Sequence, residues 1–439
     1  MHHARHIPQR SATRNVGCIE EAATDREPDN SSGKGGTSGQ SPAASGSVAV
    51  AGPPAETAGA GGIQLPVWTK VLGWCGIAGL IYLLICAVSI ISRGFAGLGG
   101  DAAHSMFAFA ANPWVGLSVG VLGTVLIQSS TTTTAIAVTA VGAGALPIRG
   151  AIPIILGANV GTTVTTTLVA LTFIGSRTEF RRPLAASTIH DFYNLLALLI
   201  FFPLELIWHP LERISGALTN ALYGTGWLPD PDRFNFVRVA TRPVVDGVTR
   251  ATSHLSSTLG PLFTIVIGAV LILVSVLYLG KLLKLLMVGR ARDILIKAVG
   301  RNAYLAMASG MGVTVLTQSS TITNSALVPF AGAGILTPAQ VYPVTVGANL
   351  GTTFTTVFAA FAVVGQDAKI GLQAAFVHLL YNVFAIIVIY VIPVLRPVPL
   401  FCAETLARLA ADRKWIVAVY LITGFLVLPA LVIILVGVL

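Results

Sequence analysis

Apolar residues fall in long uninterrupted blocks along this chain, without the short periods of a surface helix or a one-sided strand. Residues 1–65 are rich in Gly, Ser, Ala, Pro and acidic side chains, and apolar stretches then run over 71–91, 114–175, 183–207, 261–288, 303–364, 371–395 and 415–439. A bilayer is crossed by about 20 apolar helical residues, so each block predicts at least one membrane helix. The blocks at 114–175 and 303–364 are long enough to hold several passes or a re-entrant segment. Residues 1–65 carry too little apolar surface to offset the entropy of ordering and predict a disordered cytoplasmic tail. The first block, Val71 to Ile91, lacks the short basic start of a signal peptide and predicts an uncleaved span. The expected class is an all-α integral membrane protein.

Composition agrees, because 54% of the 439 residues are hydrophobic and only 10% charged. A soluble domain is about a quarter charged, which excludes a water-soluble protein. Net charge is +9, and removing the slightly acidic first 65 residues leaves +10 for the remainder. Segment 281–301 holds Lys281, Lys284, Arg290, Arg292, Lys297 and Arg301 against Asp293 alone, whereas 208–260 has five basic and four acidic residues. By the positive-inside rule the first is expected in the cytoplasm and the second outside, with Arg177–Arg182 and the basic segment 396–414 also inside. No basic patch interleaved with aromatics points to nucleic acid. The four cysteines, Cys18, Cys75, Cys86 and Cys402, show no disulfide or metal-ligand spacing.

A 190-residue repeat organises the chain. Gln128-Ser129-Ser130-Thr131 recurs as Gln318-Ser319-Ser320-Thr321, and Gly157-Ala158-Asn159-Val160-Gly161-Thr162-Thr163 recurs as Gly347-Ala348-Asn349-Leu350-Gly351-Thr352-Thr353. Between 128–163 and 318–353, 17 of 36 positions are identical. After a two-residue shift, His190 and Tyr193-Asn194 are answered by His378 and Tyr381-Asn382. The charge pattern puts the copies in the membrane upside down relative to each other, a recurring transporter architecture with the substrate site near the midplane. The expected domains are a first repeat with its leading helix at 66–207, an external loop at 208–260, a second inverted repeat at 261–395, and a basic segment with a final helix at 396–439.

Gln followed by consecutive hydroxyls inside apolar sequence would be unsatisfied against lipid, so these groups predict a broken or re-entrant helix facing a site. The Gly-Ala-Asn-x-Gly-Thr-Thr element suits either a helix break at Asn159, Gly161, Asn349 and Gly351 or close Gly-rich helix packing. There is no Asp, Glu, Lys or Arg from Asn302 to Gly365, and only Arg149 between Pro113 and Ser176. Hydroxyls, amides and half-helix N-termini can receive an anion, but a dianion at the midplane needs counter-charge. Co-bound small cations would supply it, which predicts coupled entry. His190-Asp191, expected near the start of the 183–207 helix, is the exception to neutrality, and the second copy has Leu379 in place of Asp191. Asp191 there is either a helix-start carboxylate or a cation ligand present in one half only.

With the Glu179-Phe180-Arg181-Arg182 connector and the His190-Asp191-Phe192-Tyr193-Asn194 stretch, these motifs resemble the type II sodium-dependent phosphate cotransporter family over roughly Trp68 to Leu428. The resemblance implies a sodium-coupled importer of inorganic phosphate in a cell membrane, not an enzyme, with no cofactor beyond the co-transported sodium ions. It implies phosphate at Gln128, Ser129, Ser130, Thr131, Gln318, Ser319, Ser320 and Thr321. Sodium would be held by Thr162, Gln318, Ser319, Thr352 and Thr355, and a further, electrogenic sodium site would include Asp191 and Asn194. The family pattern then implies three sodium ions per divalent phosphate. Thr131 and Thr321 replace the family's third serine, Ala348 stands where many relatives have Ser, and 208–260 lacks the cysteines of animal members, which suggests a prokaryotic member. A channel built on the same motifs, a symporter for another oxyanion, and a membrane enzyme using His190 and Asp191 are the competing readings.

Overall fold

The structure, a computed structural model, describes residues 66–175, 177–225, 236–299, 302–361, 363 and 368–437. The tail expected to be disordered lies outside them. In chain order the helices are α1 Val67–Leu98, α2 Gly100–Met106, α3 Pro113–Ile127, α4 Ser130–Gly142, α5 Ile148–Gly161, α6 Val164–Ala170 and α7 Arg177–Trp208. They continue as α8 Pro210–Gly224, α9 Phe236–Thr252, α10 Leu259–Val299, α11 Ala303–Thr317, α12 Ser320–Gly332 and α13 Pro338–Phe361. The last four are α14 Ala368–Ala385, α15 Pro397–Asp412, α16 Trp415–Ile422 and α17 Leu428–Gly437. No strand occurs among the described residues.

Seven helical stretches there are long and apolar enough to cross a membrane: Val71–Leu98, Ile148–Phe173, Phe180–Trp208, Leu259–Leu282, Pro338–Phe361, Ala368–Val391 and Trp415–Val436. Large apolar side chains such as Leu126, Val394 and Leu435 stand exposed on the outer surface. That is the distribution of a multi-pass membrane protein, whose solvent on most sides is hydrocarbon.

Three regions differ from the hydropathy reading. Segment 208–260 contains α8 and α9 where a loop was expected, because α9 alternates Arg238, Arg242, Asp246 and Arg250 with apolar positions and so forms a helix without being a long apolar block. The basic segment 281–301 largely continues α10, which runs unbroken for 41 residues to Val299, since Lys and Arg are good helix formers. And α7 starts at Arg177, six residues before the apolar block, which puts His190 and Asp191 nearly halfway along a 32-residue helix.

The repeat is visible in the packing. In each half a helix and its partner touch through glycine, α3 on α5 and α11 on α13. A Cβ on Gly120 would collide with the carbonyl of Ile154, and one on Gly157 with that of Leu117. In the second half Gly310 meets Val344 and Gly347 meets Met307 in the same way. Only glycine lets these backbones approach so closely. The helices that lead into each half also pair: α1 lies on α10 with Gly94 against Ile265 and Gly268 against Ala87 and Ile91.

Candidate functional site

Both Gln-Ser-Ser-Thr motifs interrupt a helix, and they do so with the same backbone. Asn112 caps the start of α3 by accepting from the Trp114 amide, and Asn302 caps α11 by accepting from Tyr304. The helices end at Gln128 and Gln318, whose φ of 59° and 54° are left-handed. A left-handed non-glycine residue costs about 1–3 kcal/mol and persists only where its surroundings hold it. Ser129 and Ser319 are then extended and cap the next helices, accepting from the Thr132 and Ile322 amides at 3.2 Å. The first amides of α4 and α12 consequently have no intrahelical partner and present the positive end of a 13-residue helix. Later in each half, Gly144 (φ 74°) and Gly334 (φ 72°) turn the chain out of that helix, which accounts for the Gly-Ala-Gly recurrence.

The second arm of each interrupted pair packs into the opposite half. α4 lies against α13 and α14, with Gly142 beside Val363 and Gly371. α12 lies against α6 and α7, with Gly332 beside Phe173 and Pro183.

The Gly-Ala-Asn elements behave as packing sites and not as breaks. α13 passes through Asn349 and Gly351 without interruption. In the first copy Thr162 and Thr163 keep helical angles between α5 and α6. Gly161 and Gly351 are needed because a Cβ would sit 2.7 Å from the carbonyls of Val121 and Met311. Asn159 and Asn349 point into the interior, where four asparagines and two histidines from both halves interlock. Asn349 donates to Asn194 Oδ1 at 2.7 Å and to Asn382 Oδ1 at 2.8 Å; Asn159 donates to the same two oxygens at 3.4 Å each. His190 Nε2 reaches Asn349 Oδ1 (3.3 Å), and His378 Nε2 reaches Asn159 Oδ1 (3.4 Å). The other ring nitrogens meet Asn324 Nδ2 (3.4 Å) and the Thr356 hydroxyl (3.1 Å). All six residues are buried. One tautomer, with the proton on Nε2, satisfies both rings. First-half His contacts second-half Asn and the reverse, so the two halves interlock reciprocally.

This lattice fills both lone pairs of Asn194 Oδ1, while Asn194 Nδ2 donates to the Asn159 carbonyl at 3.1 Å. The structure therefore makes Asn194 part of the lattice and sets Asp191, one turn earlier on α7, apart from it. Asp191 is buried, and its Oδ2 accepts from Thr167 of α6 and Tyr420 of α16, each at 3.2 Å. Its Oδ1 has no protein partner. Being mid-helix, Asp191 gains nothing from the helix dipole, which acts within the terminal turns.

Other candidate ligands differ in how far they are engaged. Thr162 and Thr352 donate back to the carbonyls of Ala158 and Ala348, Gln128 is held by Thr165 and the Val125 carbonyl, and Gln318 bonds the Val315 carbonyl. The buried oxygens of Thr355, Asn324 Oδ1, Ser325, Thr124, Thr134 and Thr166 lack protein partners. Ser130, Thr131 and Ser320 are buried at the starts of α4 and α12, with Thr321 next in α12. Sequence reasoning missed Thr167 and Tyr420, and only the periodic hydroxyls around 162–167 hinted at the first.

The Na+/Pi-cotransporter family model matches residues 83–227 and 271–393. Among curated relatives, sodium-dependent phosphate transport protein 2B of Pongo abelii is 30% identical over 442 residues, covering 80% of this chain and 64% of the relative. The 2A proteins of Rattus norvegicus and Oryctolagus cuniculus are 30% and 32% identical, covering 83% and 80% of this chain and 68% and 65% of their own lengths. The chain thus spans about two thirds or slightly less of the length of these relatives. No solved structure matches it. With more than half of its residues matched, spanning the helices that carry both interrupted motifs and the Asn–His lattice, the chain belongs to the Na+/Pi-cotransporter family.

Proposed function

We propose that the chain imports inorganic phosphate coupled to inward sodium movement, as a secondary transporter of the cell membrane. The carrying observation is that each half offers a capped helix start, α4 or α12, and buried oxygens that have no protein partner, in stretches of sequence almost without fixed charge. The helix starts offer amide and hydroxyl donors from Ser129–Thr131 and Ser319–Thr321, the chemistry that receives tetrahedral oxyanions. The unpaired oxygens are hard donors suited to sodium. With no Lys or Arg from Asn302 to Gly365, the anion is stabilised only if cations enter with it, and coupling follows from electrostatics.

In this reading Thr162, Gln318, Ser319, Thr352 and Thr355 hold sodium near the motifs. Asp191 holds a further ion, and Asn194 positions that turn of α7 through the lattice. Three sodium ions with a divalent phosphate move one net charge, drawing about 2.3 kcal/mol per 100 mV of membrane potential. The two-fold reciprocity of the lattice, combined with the loop charges, supports halves of opposite orientation in the bilayer.

Labelled phosphate uptake into proteoliposomes tests the proposal. Uptake is expected to require an inward sodium gradient; equal flux without sodium refutes the symporter and favours a channel. Arsenate and sulfate competition ranks the oxyanions. Asp191→Gly is expected to abolish the transport current while leaving measurable uptake, and an unchanged current refutes the role given to Asp191.

A further inference from the structure

Asp191 is reached by a side chain from outside both repeats. Tyr420 lies in α16, beyond residue 393 where the family match ends, and its hydroxyl donates to Asp191 Oδ2 at 3.2 Å. The ring is held from two sides, stacked on Phe192 with centroids 5.8 Å apart and edge-on to Phe425 at 5.7 Å. Phe425 is buried within the wide-turn π segment Thr423–Val427 that follows α16, a distortion that recurs near functional sites. Tyr420 itself is partly exposed, whereas Asp191 beneath it is buried.

We infer that Tyr420 is a positioning residue of the cation site at Asp191, fixing the carboxylate so that the unpartnered Oδ1 is left for a small monovalent cation. The inference rests on the reading of Asp191 as a cation ligand. The reasoning is one of donor count. Thr167 and Tyr420 both donate to Oδ2, so that oxygen is engaged by protein and Oδ1 is not. A carboxylate with one oxygen pinned by two hydroxyls keeps its plane, and its free lone pairs keep one direction. Without the phenol, Oδ2 loses one of its two hydroxyl donors, and the carboxylate is held less firmly. The second half has no counterpart to this arrangement: Leu379 and Val357 stand at the positions of Asp191 and Thr167. The C-terminal helix is thereby tied to a buried acidic side chain that the second half lacks.

Tyr420→Phe separates the hydroxyl from the ring, since both aromatic contacts survive. In proteoliposomes carrying the full chain, the half-saturating sodium concentration for phosphate uptake is expected to rise about tenfold, the loss of one hydrogen bond to a charged group. Half-saturating phosphate at saturating sodium should move far less. Sodium should also raise the thermal unfolding temperature of the purified variant less than it does for wild type, with choline as the reference salt. Asp191→Asn is measured alongside. If Asp191→Asn shifts the sodium dependence and Tyr420→Phe does not, the inference on Tyr420 fails and the cation reading of Asp191 stands. If neither variant shifts it, both fail. If Tyr420→Phe loses equal stability in choline and in sodium with no change in sodium dependence, the hydroxyl is a packing contact, and the inference is likewise overturned.

Discussion

The two halves share their backbone plan down to a left-handed glutamine at the same position, yet they differ in what surrounds the equivalent of one side chain. In the first half Thr162 and Thr163 join α5 to α6 with helical angles, and Thr167 on α6 donates to Asp191. In the second half α13 runs through the same region unbroken, with Val357 and Leu379 packed into apolar surroundings. Closely matched elements are those that bring backbones together or interlock across the centre: the Gln-Ser breaks, the glycine contacts, the Asn–His lattice. Around the position of Asp191 the halves diverge, with a polar pair on one side and an apolar pair on the other. The shared parts follow from fitting two halves against each other, and the unshared pair follows from placing the Asp191 carboxylate in one half only.

Three pairs of substitutions test how deep the likeness runs. The largest effect is expected from Gly157→Val and Gly347→Val, each of which drives a branched side chain into a facing carbonyl, of Leu117 and Met307. Overpacking of this kind costs about 3 kcal/mol or more, and both variants should fail to give a monodisperse peak in size-exclusion chromatography. A well-folded Gly347→Val beside a misfolded Gly157→Val would break the equivalence of the halves. Next in size, Asn349→Ala should destabilise by about 2–3 kcal/mol and Asn159→Ala by less, because Asn349 makes the 2.7 and 2.8 Å bonds and Asn159 the 3.4 Å ones. Thermal unfolding followed by chromatography ranks them, and the reverse order would show that the lattice is held from the first half. The smallest change in stability is expected from the double variant Asp191→Leu with Thr167→Val, which gives the first half the second half's residues. Replacing the partners of a buried polar contact by apolar groups is close to neutral, within about 1 kcal/mol, and the third partner, the Tyr420 hydroxyl, belongs to a partly exposed residue that water can reach. Sodium-dependent current should nonetheless vanish, and a strong loss of stability with current retained would place Asp191 among the structural residues.

Much of this was legible in the sequence, and the reasons are specific. Hydropathy blocks located the long helices because lipid imposes uniform apolarity on them. The 190-residue offset located Gln128 and Gln318, where the helices do break. Where hydropathy erred, it erred at helices that are not uniformly apolar: α9, the basic end of α10, and the first turns of α7. The last of these errors placed Asp191 at a helix start, where a dipole would have accounted for it. The glycine elements were readable as either breaks or contacts, and only the neighbouring carbonyls of Val121 and Met311 decide for contacts. The pairing of His190 with Asn349, 159 residues away, has no sequence signature. Tyr420 was invisible for a further reason: it belongs to no repeat, so no second copy drew attention to it.

The reciprocal Asn–His lattice also bears on ancestry. Two identical chains facing across a two-fold axis would form such a lattice by themselves, His of each on Asn of the other. In that ancestral pair any acidic residue would occur twice or not at all, and the number of buried charges would always be even. Joining the copies in one chain removes that constraint. Asp191, answered by Leu379, is a buried carboxylate that two halves joined in one chain can carry on one side alone, leaving the surface on which the halves meet unchanged.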